Sequence, residues 1–155
     1  MNQSERRRYL IQELLNEQKE YCNYSIPEDP QGQKDLLRGL LNVRAPKILS
    51  REFLKIQDEY LKEETEKKGI TELADLTPVE LGIYLWQGDI TTLRCDAIVN
   101  AANSGMTGCY APNHKCIDNC IHTFAGAQLR YECAQMMKAQ GHEEPTGQEK
   151  ITVAY

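Results

Sequence analysis

Cys109, His114 and Cys116 fall within eight residues of one another, at Cys-x4-His-x-Cys spacing. Two thiolates and an imidazole are the donor set that suits Zn2+, which takes sulfur and nitrogen ligands in a tetrahedron. The spacing is short enough for one loop to supply all three. A structural zinc site closes with a fourth protein ligand, whereas a catalytic site keeps one position open. Cys120 is the nearby fourth candidate, but it lies inside the helix that Ile117 and Asp118 open. The plainer alternative is that the cysteines fill space and His114 is an exposed loop residue.

Further polar groups flank the cluster. Asn100 and Asn103 bracket Ala101-Ala102; each Asn either shapes a turn or offers its amide to a ligand hydroxyl. Ala101, Ala102, Ser104 and Gly105 are small enough for a ligand to approach the backbone. Asp118 sits in the first turn of the next helix, where the helix dipole favours a carboxylate. Beside a metal, the same carboxylate binds ligand hydroxyls or handles a proton. Asp89, in Gly88-Asp89-Ile90-Thr91, caps the short Thr91-Thr92-Leu93 turn or accepts from an amine of a ligand. His122 reads as a helix-packing residue. Cys22, Cys95 and Cys133 read as small buried hydrophobes, and Trp86 as a sheet-packing residue.

The elements that must position these groups differ between the two halves of the chain. Leu10, Ile11, Leu14, Leu15, Tyr21 and Cys22 recur at helical spacing. Ile26 to Pro30 breaks that helix. Leu36, Leu37, Leu40 and Leu41 mark a second helix, ended before Ala45-Pro46. Ser50 caps a third, with Phe53, Ile56, Tyr60 and Leu61 on its apolar face and Gly69 just past its end. Beyond Thr77-Pro78 the period changes. Val79, Leu81, Ile83 and Leu85 alternate as in a strand, and Ala97 to Val99 reads as a short strand covered on both faces. Ile117 to Met137 fits a helix or two, broken near Gly126, and Gly141 ends that segment. Glu149 to Tyr155 reads as another strand. A division near residue 75 follows, into a helical unit, 1–75, and an α/β unit, 76–155. The metal loop then sits on a strand-to-helix connection, where open α/β sheets bind ligands.

Composition sets the outer bounds. The chain has 155 residues, 41% hydrophobic and 26% charged, ordinary for a globular protein. A net charge of −5 argues against nucleic-acid binding, which needs clustered Lys and Arg. Arg6-Arg7-Arg8 is the one basic run and reads as the solvated face of a helix, as does the mixed-sign Lys62 to Lys68. No apolar run approaches the ~20 residues of a membrane span, and the charged start is not a secretory signal. The expected setting is cytoplasmic, with the six cysteines reduced or metal-bound rather than paired.

Taken together, Trp86 to Thr91 (WQGDIT), Asp96 to Asn103 (DAIVNAAN) and Ile117 to Leu129 (IDNCIHTFAGAQL) resemble a macrodomain. The Gly108 to Cys116 insertion further resembles the zinc-dependent microbial, chiefly bacterial, subgroup, which carries a helical N-terminal extension. The resemblance implies a three-layer α/β/α fold with a mixed sheet, incomplete here, preceded by that extension. It implies a protein-ADP-ribose hydrolase that cleaves a glycosidic bond, with an ADP-ribosylated protein as substrate. Some members are linked to sirtuin-type ADP-ribosyltransferases and lipoyl-carrier proteins. Asp89 would contact the adenine amine and the Ile90 backbone would support the base. Asn103 would contact and orient the distal ribose, Asp118 would lie near it, and Cys109, His114 and Cys116 would hold zinc.

Two departures qualify the transfer. The glycine run of ordinary macrodomains is replaced here, after Gly108, by the cysteines and His114, so a metal-free mechanism does not carry over. The second glycine-rich loop, which cradles the diphosphate, has no counterpart in the sequence. The expectation is therefore a fragment that is poorly folded or inactive taken alone. Two other function classes stay open: a reader that binds ADP-ribose without cleaving it, and a thiol redox sensor using Cys109 and Cys116.

Overall fold

A computed structural model of the chain describes every residue except Cys22 and Ala154. The helical first half forms as the spacing dictates. Helix α1 spans Gln3–Asn16, with Asn2 and Glu5 forming a reciprocal capping box. Helix α2 spans Pro30–Val43, capped by Asp29 with Pro30 at its first position. Helix α3 spans Arg51–Lys68; the Ser50 hydroxyl accepts from the Phe53 N–H, and Gly69 follows the last turn. Their apolar faces meet in one core of Leu10, Ile11, Leu14, Leu15, Leu37, Leu40, Leu41, Phe53, Ile56, Tyr60 and Leu61.

Two expectations for this half are corrected. Helix α1 stops at Asn16 rather than continuing to Tyr21, which lies in a separate 3-10 turn, Lys19–Tyr21; Cys22 is outside the described residues. Of the basic run only Arg8 is the exposed residue expected. Arg7 is buried and donates through Nε to Gln33 Oε1 at 3.0 Å, while Arg6 pairs with Glu59 and Glu63 of α3. These arginines tie the bundle together.

The second half is a mixed α/β segment with short strands. Strand β1 (Thr71–Glu72) pairs in parallel with β4 (Leu93–Arg94), and β2 (Pro78–Glu80) pairs antiparallel with β3 (Ile83–Tyr84). The alternating run 79–85 is therefore a tight hairpin rather than one strand. Gly82, at φ 75°, reverses the chain between the two arms. The strands expected at 97–99 and 149–155 are not formed among the described residues. Val99 is 89% exposed and Ile151 is 91% exposed. A strand needs a neighbour to take its N–H and C=O groups, and neither segment is paired in either sheet. Cys95 is half-buried, not buried, whereas Cys133 is buried as expected.

Helices α4 (Ile117–Ala125) and α5 (Ala127–Gln140) meet at Gly126, as the sequence indicated. Gly126 has φ +88°, and a Cβ there would collide with the Gln57 amide. That amide is occupied, because Gln57 Oε1 accepts the Ala127 N–H at 3.0 Å. Phe124 and Ala127 pack onto the core of the first three helices, so the α4–α5 elbow is docked on the bundle. Ile121, Leu129 and Cys133 form a smaller cluster, with Ile90 packed against it. Among the described residues no helix is long and apolar enough to cross a membrane.

Candidate metal centre

The loop that ends at α4 carries the expected donors. Gly108 turns the chain at φ +82°, and its bare Cα lies against the His122 ring; a Cβ would sit 2.7 Å from that ring. From there the chain passes through Cys109, His114 and Cys116, whose ligand atoms all lie within 4.8 Å of one another. Cys109 Sγ is 3.6 Å from His114 Nδ1. Donors around a tetrahedral zinc stand about 3.3–3.8 Å apart, so small side-chain rotations bring all three to that spacing. The donor set fits Zn2+. Cys120 stands outside the group, its thiol facing Arg38 Nη2 at 3.5 Å.

Cys116 is also the N-cap of α4, where its Sγ accepts the Asn119 N–H at 3.4 Å. That hydrogen bond favours the thiolate, but burial and the neighbouring Cys109 outweigh it, and the thiol is raised above its ordinary value. Asp118 adds to the same push. A bound cation reverses this balance, since a coordinating thiol is deprotonated.

Asp118 is 6% exposed. Its Oδ1 accepts from Asn100 Nδ2 at 2.8 Å and lies 3.6 Å from His122 Nε2. His122 is equally buried. Desolvation drives its pKa down to about 4, against the pull of Asp118 and with a push from Arg130. The ring is neutral at pH 7. No described residue hydrogen-bonds its Nδ1 or the buried Asn100 Oδ1. No described residue donates to Asp118 Oδ2; Asn100 bonds only Oδ1.

The remaining expected residues lie at the edges. Asn103 uses its side chain on its own loop, donating to the Gly108 carbonyl at 3.2 Å and accepting the Gly105 N–H at 3.0 Å. Asp89 caps the 3-10 turn Ile90–Thr92 and accepts from the Thr91 N–H and hydroxyl at 3.0 and 2.6 Å. Lys68, at the end of α3, pairs with its second oxygen at 2.9 Å. Burial works to raise Asp89, yet Thr91 and Lys68 prevail and hold it below the usual carboxylate range.

Sequence reasoning missed the residues that brace the loop. Arg38 and Asn42 of α2, Asn119 of α4 and Arg130 of α5 all contact it. One signal was available: Arg38 and Asn42 are polar positions four apart, hence on one helix face, within the otherwise apolar Leu36 to Val43.

The Macro domain family matches residues 99–155. A protein-ADP-ribose hydrolase of Treponema medium is 60% identical over 159 aligned positions, covering 100% of this chain and 61% of its own length. Protein-ADP-ribose hydrolases of two Staphylococcus aureus strains, MRSA252 and COL, are each 45% identical over 148 positions, covering 95% of this chain and 55% of theirs. The chain thus spans little more than half the length of the curated relatives it matches, and the Treponema medium alignment includes the helical first half.

Proposed function

Since residues 99–155 are macrodomain sequence, we propose that the protein is a metal-dependent hydrolase that removes ADP-ribose from modified proteins. Residues 1–75 are its helical extension and residues 76–155 the first part of its macrodomain. The observation that carries the reading is the convergence of Cys109, His114 and Cys116 within 4.8 Å on the N-terminus of the helix that bears Asp118. The names of the relatives supply the substrate class.

Cys109, His114 and Cys116 would hold the zinc. Bound there, zinc would supply a Lewis acid that acidifies a water or hydroxyl. Asp118 Oδ2 would accept a proton from a water or a ribose hydroxyl. Asn100 fixes the carboxylate by holding Oδ1, and the neutral His122 packs behind it. Asn103 shapes the turn over which the distal ribose lies, its side-chain carbonyl and amide exchanging loop partners for sugar hydroxyls as the ligand enters. Asp89 accepts from the adenine amine once Lys68 yields, and the Ile90 backbone supports the base. The net reaction adds water across the bond between the distal ribose and a protein side chain. A lipoyl-carrier protein is one candidate substrate, raised by the family resemblance. The described cysteines are free, which fits a reducing, cytoplasmic setting.

The test is release of ADP-ribose from a modified protein by the intact enzyme, before and after chelation and with Cys109→Ala. Loss of turnover in both, with recovery on adding Zn2+ to the chelated enzyme, supports the reading. Unchanged turnover removes the catalytic metal. Tight ADP-ribose binding by calorimetry with no turnover identifies a reader instead.

A further inference from the structure

Ala111, Pro112, Asn113, His114 and Lys115 are exposed. Burial of apolar surface therefore cannot hold three ligand atoms within 4.8 Å of one another. Hydrogen bonds must do so, and two of them, to the His114 carbonyl and from the Asn113 N–H, are made by α2 of the helical half.

Each ligand-bearing part of the loop has its own anchor. Arg38 Nη2 donates to the backbone carbonyl of His114 at 2.8 Å and to Asn119 Oδ1 at 3.0 Å. Asn119 is fully buried. Its Nδ2 donates to the carbonyls of Ala111 and Cys109 at 3.1 and 3.4 Å, and its N–H donates to the Cys116 Sγ. Asn113 turns the loop in the left-handed region at φ 56°. The N–H it presents there is taken by Asn42 Oδ1 at 3.0 Å, while Asn42 Nδ2 donates to Thr123 of α4 at 3.0 Å. Arg130 spans the carbonyls of Leu41 and Arg44 at the end of α2 and reaches the Cys109 carbonyl at 3.3 Å. The loop lies over Gly39, where an added Cβ would touch Asn113.

We propose that α2 is a working part of the metal centre, with Arg38 and Asn42 as positioning residues that set the spacing of Cys109, His114 and Cys116 for a divalent cation. The helical extension then determines metal affinity rather than merely packing beside the macrodomain. Partners that orient first ligands govern affinity because they fix ligand geometry before the ion arrives. The proposal rests on the metal reading of the three donors.

The experiment measures Zn2+ affinity by chelator competition, Co2+ absorption and thermal midpoint in the intact protein. The variants are Arg38→Met, Arg38→Lys, Asn42→Ala and the control Gln33→Ala. Gln33 is a buried α2 residue that bonds Arg7 and the Pro27 carbonyl, away from the loop. Arg38→Met and Asn42→Ala should weaken Zn2+ by about 10-fold or more and diminish the tetrahedral Co2+ band. Arg38→Lys should recover part of that loss. Gln33→Ala should lower the midpoint and leave metal affinity at the wild-type value. Wild-type affinity in Arg38→Met, or equal weakening by Gln33→Ala, would overturn the proposal even if Asn42→Ala fails to fold. A wild-type protein that binds neither ion would remove the metal reading itself, and this inference with it.

Discussion

At the scale of single residues, two buried groups carry measurable consequences. His122 is held neutral by desolvation, its pKa pushed to about 4 from an ordinary value of about 6.5. The unfolded chain takes up the proton first. Stability from this group is therefore full above about pH 6.5 and is lost as pH falls toward 4, by about 3 kcal/mol in all. Denaturant titrations at pH 7 and pH 4.5 should show this acid loss diminished in His122→Gln. An unaltered acid slope in the variant contradicts the assignment. In the proposed reaction Asp118 handles the proton. Asp118→Asn should lower turnover by about 10²–10⁴-fold while ADP-ribose binding by calorimetry changes far less. Equal losses in both would make it a binding residue only. The Lys68–Asp89 pair is 31% and 44% exposed, so Lys68→Met should cost less than about 1 kcal/mol of stability.

At the scale of elements, helix ends decide where the site stands. Gly126→Ala forces a Cβ into the left-handed region and onto the Gln57 amide, so the α4–α5 elbow must shift. A loss of about 1–2 kcal/mol or more is expected from denaturation. Arg130→Leu strands the buried carbonyls that end α2 and should cost about 3 kcal/mol or more; a neutral effect would deny Arg130 its role. The helices and their caps were legible because each signal is local: Ser50 before Phe53, Asp29 before Pro30, Gly126 and Gly141 past apolar periods. The proximity of Cys109, His114 and Cys116 was legible because all three lie in one loop. Strands were not, because a strand exists only with a partner, and alternation at 79–85 hides the reversal at Gly82. The braces Arg38, Asn42 and Arg130 were not, because they reach backbone groups 71 to 89 positions away in sequence, and polar residues facing backbone leave no periodic trace.

At the scale of the whole molecule, a shared core makes the helical half and the α4–α5 elbow one cooperative body. Hydrogen exchange should be slowest in α1–α3 and α4. It should be fast across 78–85, 97–103 and 149–153, whose backbone groups face solvent. Slow exchange in those segments would show order beyond the strand pairs described. The proposed function would draw on the same arrangement: one body holds a soft-donor loop, and the carboxylate beside it is held by Asn100. The most direct test is zinc-edge X-ray absorption on the purified intact protein. It should find one zinc per chain bound by two sulfurs, one imidazole nitrogen and one exchangeable oxygen, with one sulfur lost in Cys109→Ala. Absence of zinc, or a third sulfur from Cys120 closing the tetrahedron, would contradict an open, catalytic metal site.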